Sequence, residues 1–326
     1  MKIRTRSNFL AVALIAASLL FAAPSQAAPL PHPEGGQSAP VSARISISPP
    51  VHAHVRNQSI GPVFCASRIA TCTDSQLTYT SLDDKGEVTG VTVYDDRVSQ
   101  TTSPTGGSVQ LKYELERIST AGNILSGNLV VSVGGGGSMS LLISPAAVYS
   151  VGTTSYVPPI SPGVDGTHAT LTGEIEPFDG TAISGFTFID PSVVRCDTTV
   201  RATAGCVNPE VTPTFDMTGY PNITPNVVRY QAAGQPGAPG GVPLTKIPGE
   251  ESDANRADGP CKAFPSPRPD GEQCDEYPFA STLEGGPTAL ADLVPATENR
   301  SQGGNINNFY FQNRVVPGDK FFVKVQ

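Results

Sequence analysis

The stretch Val109-Gln110-Leu111-Lys112-Tyr113-Glu114-Leu115-Glu116 alternates apolar and polar residues without a break. A period of two describes a β-strand with one dry face and one wet face. Working outward, the same reading extends to Leu77–Thr80, Val88–Tyr94, Asn128–Val133, Ser140–Ser144, Thr170–Ile175 and Phe186–Ile189, with Gly and Pro clusters between them. Short strands separated by turn signals predict a mainly β domain over 51–200, an antiparallel sandwich. Composition agrees, because 33 Gly, 31 Pro and only 15% charged residues in 326 favour turns and short strands over long helices. The run Gly134–Gly137 lacks the Lys-Ser/Thr and the helix of a phosphate loop, and reads as a hairpin turn. His52 and His54 flank one alanine and could share a metal, but no third ligand accompanies them, so a surface or packing role is the better reading. No catalytic constellation is visible in this domain.

Residues 1–27 read as a secretory signal. Lys2, Arg4 and Arg6 form a basic front, Phe9 to Ala23 is an apolar run too short for a comfortable membrane span, and Ser25-Gln26-Ala27 offers small residues for cleavage. An uncleaved anchor is the alternative. No later apolar stretch approaches spanning length, so a secreted, extracellular protein with no membrane span after signal removal is expected. Residues 28–50 are a Pro-rich linker. Export puts the six cysteines in an oxidising setting. They fall as sequence-local pairs, Cys65/Cys72, Cys196/Cys206 and Cys261/Cys274, and nearest-neighbour pairing is one of several possible connectivities. Zinc is disfavoured, since no CxxC occurs and all four histidines lie at or before position 168. The net charge of −8 provides no global field for a polyanion.

A second domain is expected over 201–326. Residues 232–243 form a Pro/Gly loop, Val227–Tyr230 a short packed segment, 301–313 a helix with Ile306, Phe309 and Tyr310 on one face, and Phe321–Val325 a closing strand. Its chemistry gathers in Cys274-Asp275-Glu276-Tyr277-Pro278-Phe279-Ala280-Ser281-Thr282-Leu283-Glu284-Gly285-Gly286 and Glu298-Asn299-Arg300-Ser301-Gln302-Gly303-Gly304. Acids, an amide and an arginine so close together can bind a hard cation and a phosphate. On a strand, Asp275 and Glu276 point to opposite faces, so only one can face a given site. Solvated surface acids are the bland alternative. Asn299 could be a helix N-cap or a magnesium ligand through its carbonyl oxygen. Arg300 would suit a phosphate. Gln302 and Asn308 are further polar groups of the helix.

At these residues the sequence resembles the NucA/NucB family of secreted bacterial deoxyribonucleases. The likeness is carried by CDEYPFAST-x-EGG, ENRSQGG and the closing GD-x-FFV-x-V, over roughly 205–326. The resemblance implies a small α+β, ββα-metal nuclease-like domain, a divalent cation (Mg²⁺ or Mn²⁺) and nonspecific cleavage of DNA. It also implies that an acid of the Asp-Glu pair replaces a histidine base. By the same resemblance Asp275 is the general base, with Glu276 and Arg300 as the other catalytic candidates. Asn299 binds the metal, Glu284 serves in the metal shell or as support, and Arg300 contacts phosphate. Gln302, as a substrate contact, and Asn308, as a metal contact, carry over less directly.

The residues themselves agree on the base, because no histidine follows position 168. An acid must serve, or water must be activated by metal alone. An aspartate base should stay ionised well below the histidine range of about 6.5 unless neighbouring Glu276 and Glu284 raise it. The leading reading is a secreted divalent-metal-dependent endonuclease with an accessory β domain of unidentified ligand. The rival is a non-enzymatic secreted β-rich binding or surface protein with a degenerate nuclease domain. Residues 221–326 carry nine Lys/Arg against twelve Asp/Glu, which leans slightly toward the rival.

Overall fold

The computed structural model of the chain describes residues 38–48, 67–161, 163–178 and 185–326. The expected signal 1–27, His52, His54 and Cys65 lie outside them. Among the described residues ten strands build the first region: β1 (Ser42–Ser48), β2 (Ala70–Leu82), β3 (Val88–Ser103), β4 (Gly106–Gly122), β5 (Gly127–Val133), β6 (Ser138–Ile143), β7 (Tyr149–Tyr156), β8 (Thr167–Pro177), β9 (Gly185–Asp197) and β10 (Gly205–Val207). They form two antiparallel five-stranded sheets, ordered β1-β2-β3-β4-β7 and β10-β9-β8-β5-β6.

The inward residues of both sheets share one core, including Leu77, Tyr79, Leu111, Tyr113 and Leu115 from the first sheet and Leu129, Val131, Leu141 and Leu171 from the second. In β4, Val109, Leu111, Tyr113 and Leu115 are buried while Gln110 and Lys112 are exposed, so the opening alternation is a half-buried strand. The glycine run makes the β5–β6 turn, closed by Gly136 N–H donating to Val133 O. Part of the expected linker is corrected. Residues 42–48 pair in register with β2, from Ser42 opposite Leu82 to Ser48 opposite Gln76. The Pro-free run Ala43-Arg44-Ile45-Ser46-Ile47 has the same period of two, masked in the reading by the prolines on either side. The strand β10 also joins the second sheet, although the sequence reading assigns it to the second domain.

The second region has its own core, built from Phe215, Met217, Ile223, Val227, Tyr277, Phe279, Ile306, Phe309, Phe321 and Val323 among others. Its elements are β11 (Thr214–Asp216), α1 (Thr224–Ala232), β12 (Leu244–Thr245), α2 (Gly249–Asp258), β13 (Glu272–Tyr277), β14 (Leu290–Pro295), α3 (Ala296–Gln312) and β15 (Lys320–Lys324). The strand β15 lies between β11, parallel to it, and antiparallel β12. β13 and β14 form a separate antiparallel pair, and α3 follows directly. The helix α3 keeps its form through Gly303 and Gly304 because Ile306, Phe309 and Tyr310 pack into the core, which outweighs glycine's poor helix propensity. The 232–243 loop is pinned rather than free. Tyr277 Oη donates to Pro236 O, and a Cβ at Gly237 (φ +112°) would sit 2.1 Å from Tyr277 Oη, so only glycine fits there. Among the described residues no helix is long and apolar enough to cross a membrane.

Five charged side chains, all buried, join the two regions: Arg68, Arg195, Asp197, Arg314 and Asp319. Arg195 Nη1 and Nη2 donate to the two Asp319 carboxylate oxygens at 2.7 and 2.8 Å, and Arg68 Nη2 adds a third bond at 2.7 Å. Arg314, two residues after the end of α3, donates from Nε and Nη2 to the Asp197 carboxylate at 3.0 and 2.5 Å and from Nη1 to Pro104 O at 2.7 Å. Charge burial at this scale is tolerable only because nearly every donor has an acceptor.

Candidate active site

The strand β13 presents Asp275 and Glu276 on opposite faces, as neighbouring strand residues must be. Asp275 shares its buried face with Tyr277 and lies opposite Asp292 of β14. Glu276 turns the other way and accepts the Cys261 N–H at 3.3 Å. Among the described residues β13 is paired only with β14, and both acids reach a cleft of about 460 Å³ along this hairpin, which corrects the expectation that only one of them could face a given site. The cleft is also lined by Asn299 and Gln302 of α3, Arg256 of α2, and Arg268.

Asp275 is only 8% exposed, and among the described residues no cation pairs with it. Burial first, and then the charge of Glu276, push its carboxyl up to about 7, with Asp292 and Glu298 adding to the rise and the Glu276 N–H opposing it. Across the hairpin, Asp292 is paired with Arg229 and accepts the Tyr230 hydroxyl. Burial also raises Glu276, which the Cys261 N–H and Arg256 partly offset. The expectation of an aspartate ionised far below the histidine range is therefore corrected, through the exception stated with it. Glu276 contributes to the rise, although burial is the larger cause.

Asn299 is the fourth residue of α3, which begins at Ala296 directly after Pro295. It is a helix-interior residue, so the N-cap alternative and the helix start at 301 are both corrected. Its Nδ2 donates to Gln273 Oε1 and Cys274 O, each at 3.3 Å, leaving Oδ1 without a protein donor among the described residues. Gln302 is 4% exposed, and its Nε2 has no partner among the described residues. A helix advances about 100° per residue, so Asn299, Gln302, Gly303 and Ile306 share the cleft face while Asn308 lies on the opposite side. Arg300 is exposed and, like Asn308, does not line the cleft. Glu284 is also outside it, accepting the Thr245 N–H at 2.9 Å and so tying its loop to β12.

Among the described residues no group of three or more His, Cys, Asp or Glu side chains is arranged to hold a metal. A hard cation that keeps several waters needs few protein ligands. A free amide oxygen beside a buried, unpaired carboxylate fits such an ion. Arg256, Arg268 and Asn307 also line the cleft, and the sequence reading did not single them out. Asn307 was discoverable from helical spacing relative to Asn299, whereas the two arginines lie on separate segments with no motif of their own.

Residues 244–324 match the family model of deoxyribonuclease NucA/NucB. No curated protein matches the chain. The NucA/NucB match includes every residue named above as lining the cleft and leaves the two five-stranded sheets outside it. It points to a deoxyribonuclease. Beside the cleft, Cys261 and Cys274 form a disulfide, as expected, and Cys196 pairs with Cys206. Cys72 is also disulfide-bonded. The first bridge clips the 3₁₀ turn Pro260–Ala263 to the residue before Asp275. Replacing Cys261 and Cys274 together by Ala is expected to cost about 3 kcal/mol of stability in the chain-entropy account. Urea denaturation checks this, and an unchanged midpoint would mean that the clip contributes nothing.

Proposed function

We propose that the chain is a secreted endonuclease that hydrolyses DNA phosphodiester bonds without sequence preference, using a divalent cation, Mg²⁺ or Mn²⁺. The observation that carries this reading is the meeting of unpaired, buried Asp275 and the free Asn299 oxygen on one cleft, inside the NucA/NucB match. Asp275 acts as general base. It takes a proton from a water molecule as the water oxygen attacks phosphorus and the P–O ester bond breaks. Its carboxyl at about 7 is matched to neutral operating pH. Asn299 would hold the cation through Oδ1, its amide oriented by the Nδ2 bonds to Gln273 and Cys274. The cation, when bound, would offset charge developing on the phosphate and the leaving oxygen. The unpaired Nε2 of Gln302 would donate to a phosphate oxygen. Arg300 would meet a phosphate only where DNA leaves the cleft, and Glu284 would act as support through Thr245.

Nicking of supercoiled plasmid tests this reading. Nicked and linear products are expected with Mg²⁺ or Mn²⁺ and none with EDTA; intact plasmid under every metal condition refutes it. The pH dependence has a definite sign. A base must be ionised, so the rate should fall as pH drops through about 7, by roughly tenfold per pH unit. A cation bound nearby favours the carboxylate, so more Mn²⁺ should shift this limb to lower pH. Rate–pH profiles at two Mn²⁺ concentrations check it, and a limb that ignores the metal would assign the base elsewhere.

A further inference from the structure

We propose that Arg256 is a backbone-phosphate contact for the polynucleotide, an inference that rests on the nuclease reading above. The C-terminal region is not basic by count, yet Arg256 and Arg268 both line the cleft that holds Asp275. The two arginines are held differently. Arg268 is committed to the protein: Nη1 donates to Phe264 O at 2.7 Å and also to Pro265 O, Nη2 donates to Cys261 O at 2.6 Å, and its guanidinium lies 5.9 Å from the centre of the Phe264 ring. It is a fixed charge that braces its own loop.

Arg256 is 61% exposed, and its one ion pair is with Asp253, which is 77% exposed, three residues back on α2. Only Nη1 is engaged, at 2.6 Å, so Nε and Nη2 have no protein acceptor among the described residues. An exposed pair of this kind is worth about 0–1 kcal/mol, so packing does not account for the placement and a phosphate can displace Asp253. The planar guanidinium then offers a two-pronged contact to phosphate oxygens. Such a contact reads the backbone and not the bases, which suits a sequence-independent enzyme.

The test uses the full chain and a fluorescent DNA duplex in EDTA, where binding is read without cleavage. Anisotropy gives Kd across a salt series for the wild type, Arg256→Ala, Arg256→Lys and Arg44→Ala, the last changing an exposed arginine of β1. Arg256→Ala is expected to weaken binding about ten-fold at low salt and to reduce the log–log salt slope by about 1, the loss of one phosphate contact. Arg256→Lys should keep the slope but bind more weakly, since a lysine contacts phosphate as a point charge. Arg44→Ala should match the wild type in both. An Arg256→Ala protein with wild-type Kd and slope overturns the proposal, as does a wild type that binds no DNA. A wild type that binds, loses slope with Arg256→Ala, and yet cuts nothing with Mn²⁺ upholds this contact and refutes the nuclease reading alone.

Discussion

Asp275→Asn is expected to reduce DNA cleavage by about 10²–10⁴-fold, the usual loss when a general base is removed, and at the same time to stabilise the folded protein above neutral pH. The second effect follows from burial. A carboxyl lifted from 3.8 to about 7 binds its proton more tightly in the folded state than in the unfolded chain. Its destabilising effect is absent below pH 3.8, grows as pH rises and is complete above about 7. That rise corresponds to at most about 4 kcal/mol, at 1.36 kcal/mol per tenfold change in proton affinity. Asn is neutral at every pH and escapes the penalty, so the gain should be large at pH 8 and vanish near pH 4. Urea denaturation at the two pH values, beside plasmid nicking, reads both halves. Glu276→Gln is the comparison, and it should keep most activity because its carboxylate, although it also borders the cleft, is engaged by the Cys261 N–H. An inactive Glu276→Gln beside a near-wild-type Asp275→Asn would exchange the two roles. A surface acid, by contrast, would show neither loss of activity nor gain in stability.

Asp319→Ala carries the largest expected loss of stability, about 3–5 kcal/mol, the cost of removing one partner from a buried ion pair. Asp319 accepts two bonds from Arg195, one from Arg68 and the Val316 N–H at 3.2 Å. Without it, three buried guanidinium groups would share the single carboxylate of Asp197. The denaturation midpoint should fall accordingly, and a change below about 1 kcal/mol would show that the cluster is dispensable. The same cluster bears on any fragment limited to 201–326. Such a fragment keeps Arg314 and Asp319 but loses Arg68, Arg195 and Asp197, so poor folding is expected unless the sheets are present.

What was legible in the sequence was local. The period of two marked the strands around Val109–Glu116, because a half-buried strand must alternate. The strand β1 escaped notice because its alternation is short and bounded by prolines. α1 was visible only as a packed Val227–Tyr230 segment, and α2 was not anticipated; its one buried residue is Ser252, so it shows almost no apolar stripe. Asp275, Glu276 and Asn299 stood out because they sit in dense motifs. That Asn308 faces away from the cleft follows from helix phase, once α3 is known to start at Ala296.

By itself, the sequence determined the β-rich character of the first region and the acidic and amide chemistry of the second, properties of residues near one another in the chain; the pairings Cys196–Cys206 and Cys261–Cys274 were one of several connectivities it allowed. Only the tertiary structure decided the rest. The burial that lifts Asp275 comes from packing around the β13–β14 hairpin. Arg256 reaches the cleft from α2, and Asp319 meets Arg195 across 124 positions. Desolvation and ion pairing depend on distance in space, and a linear pattern records only separation along the chain.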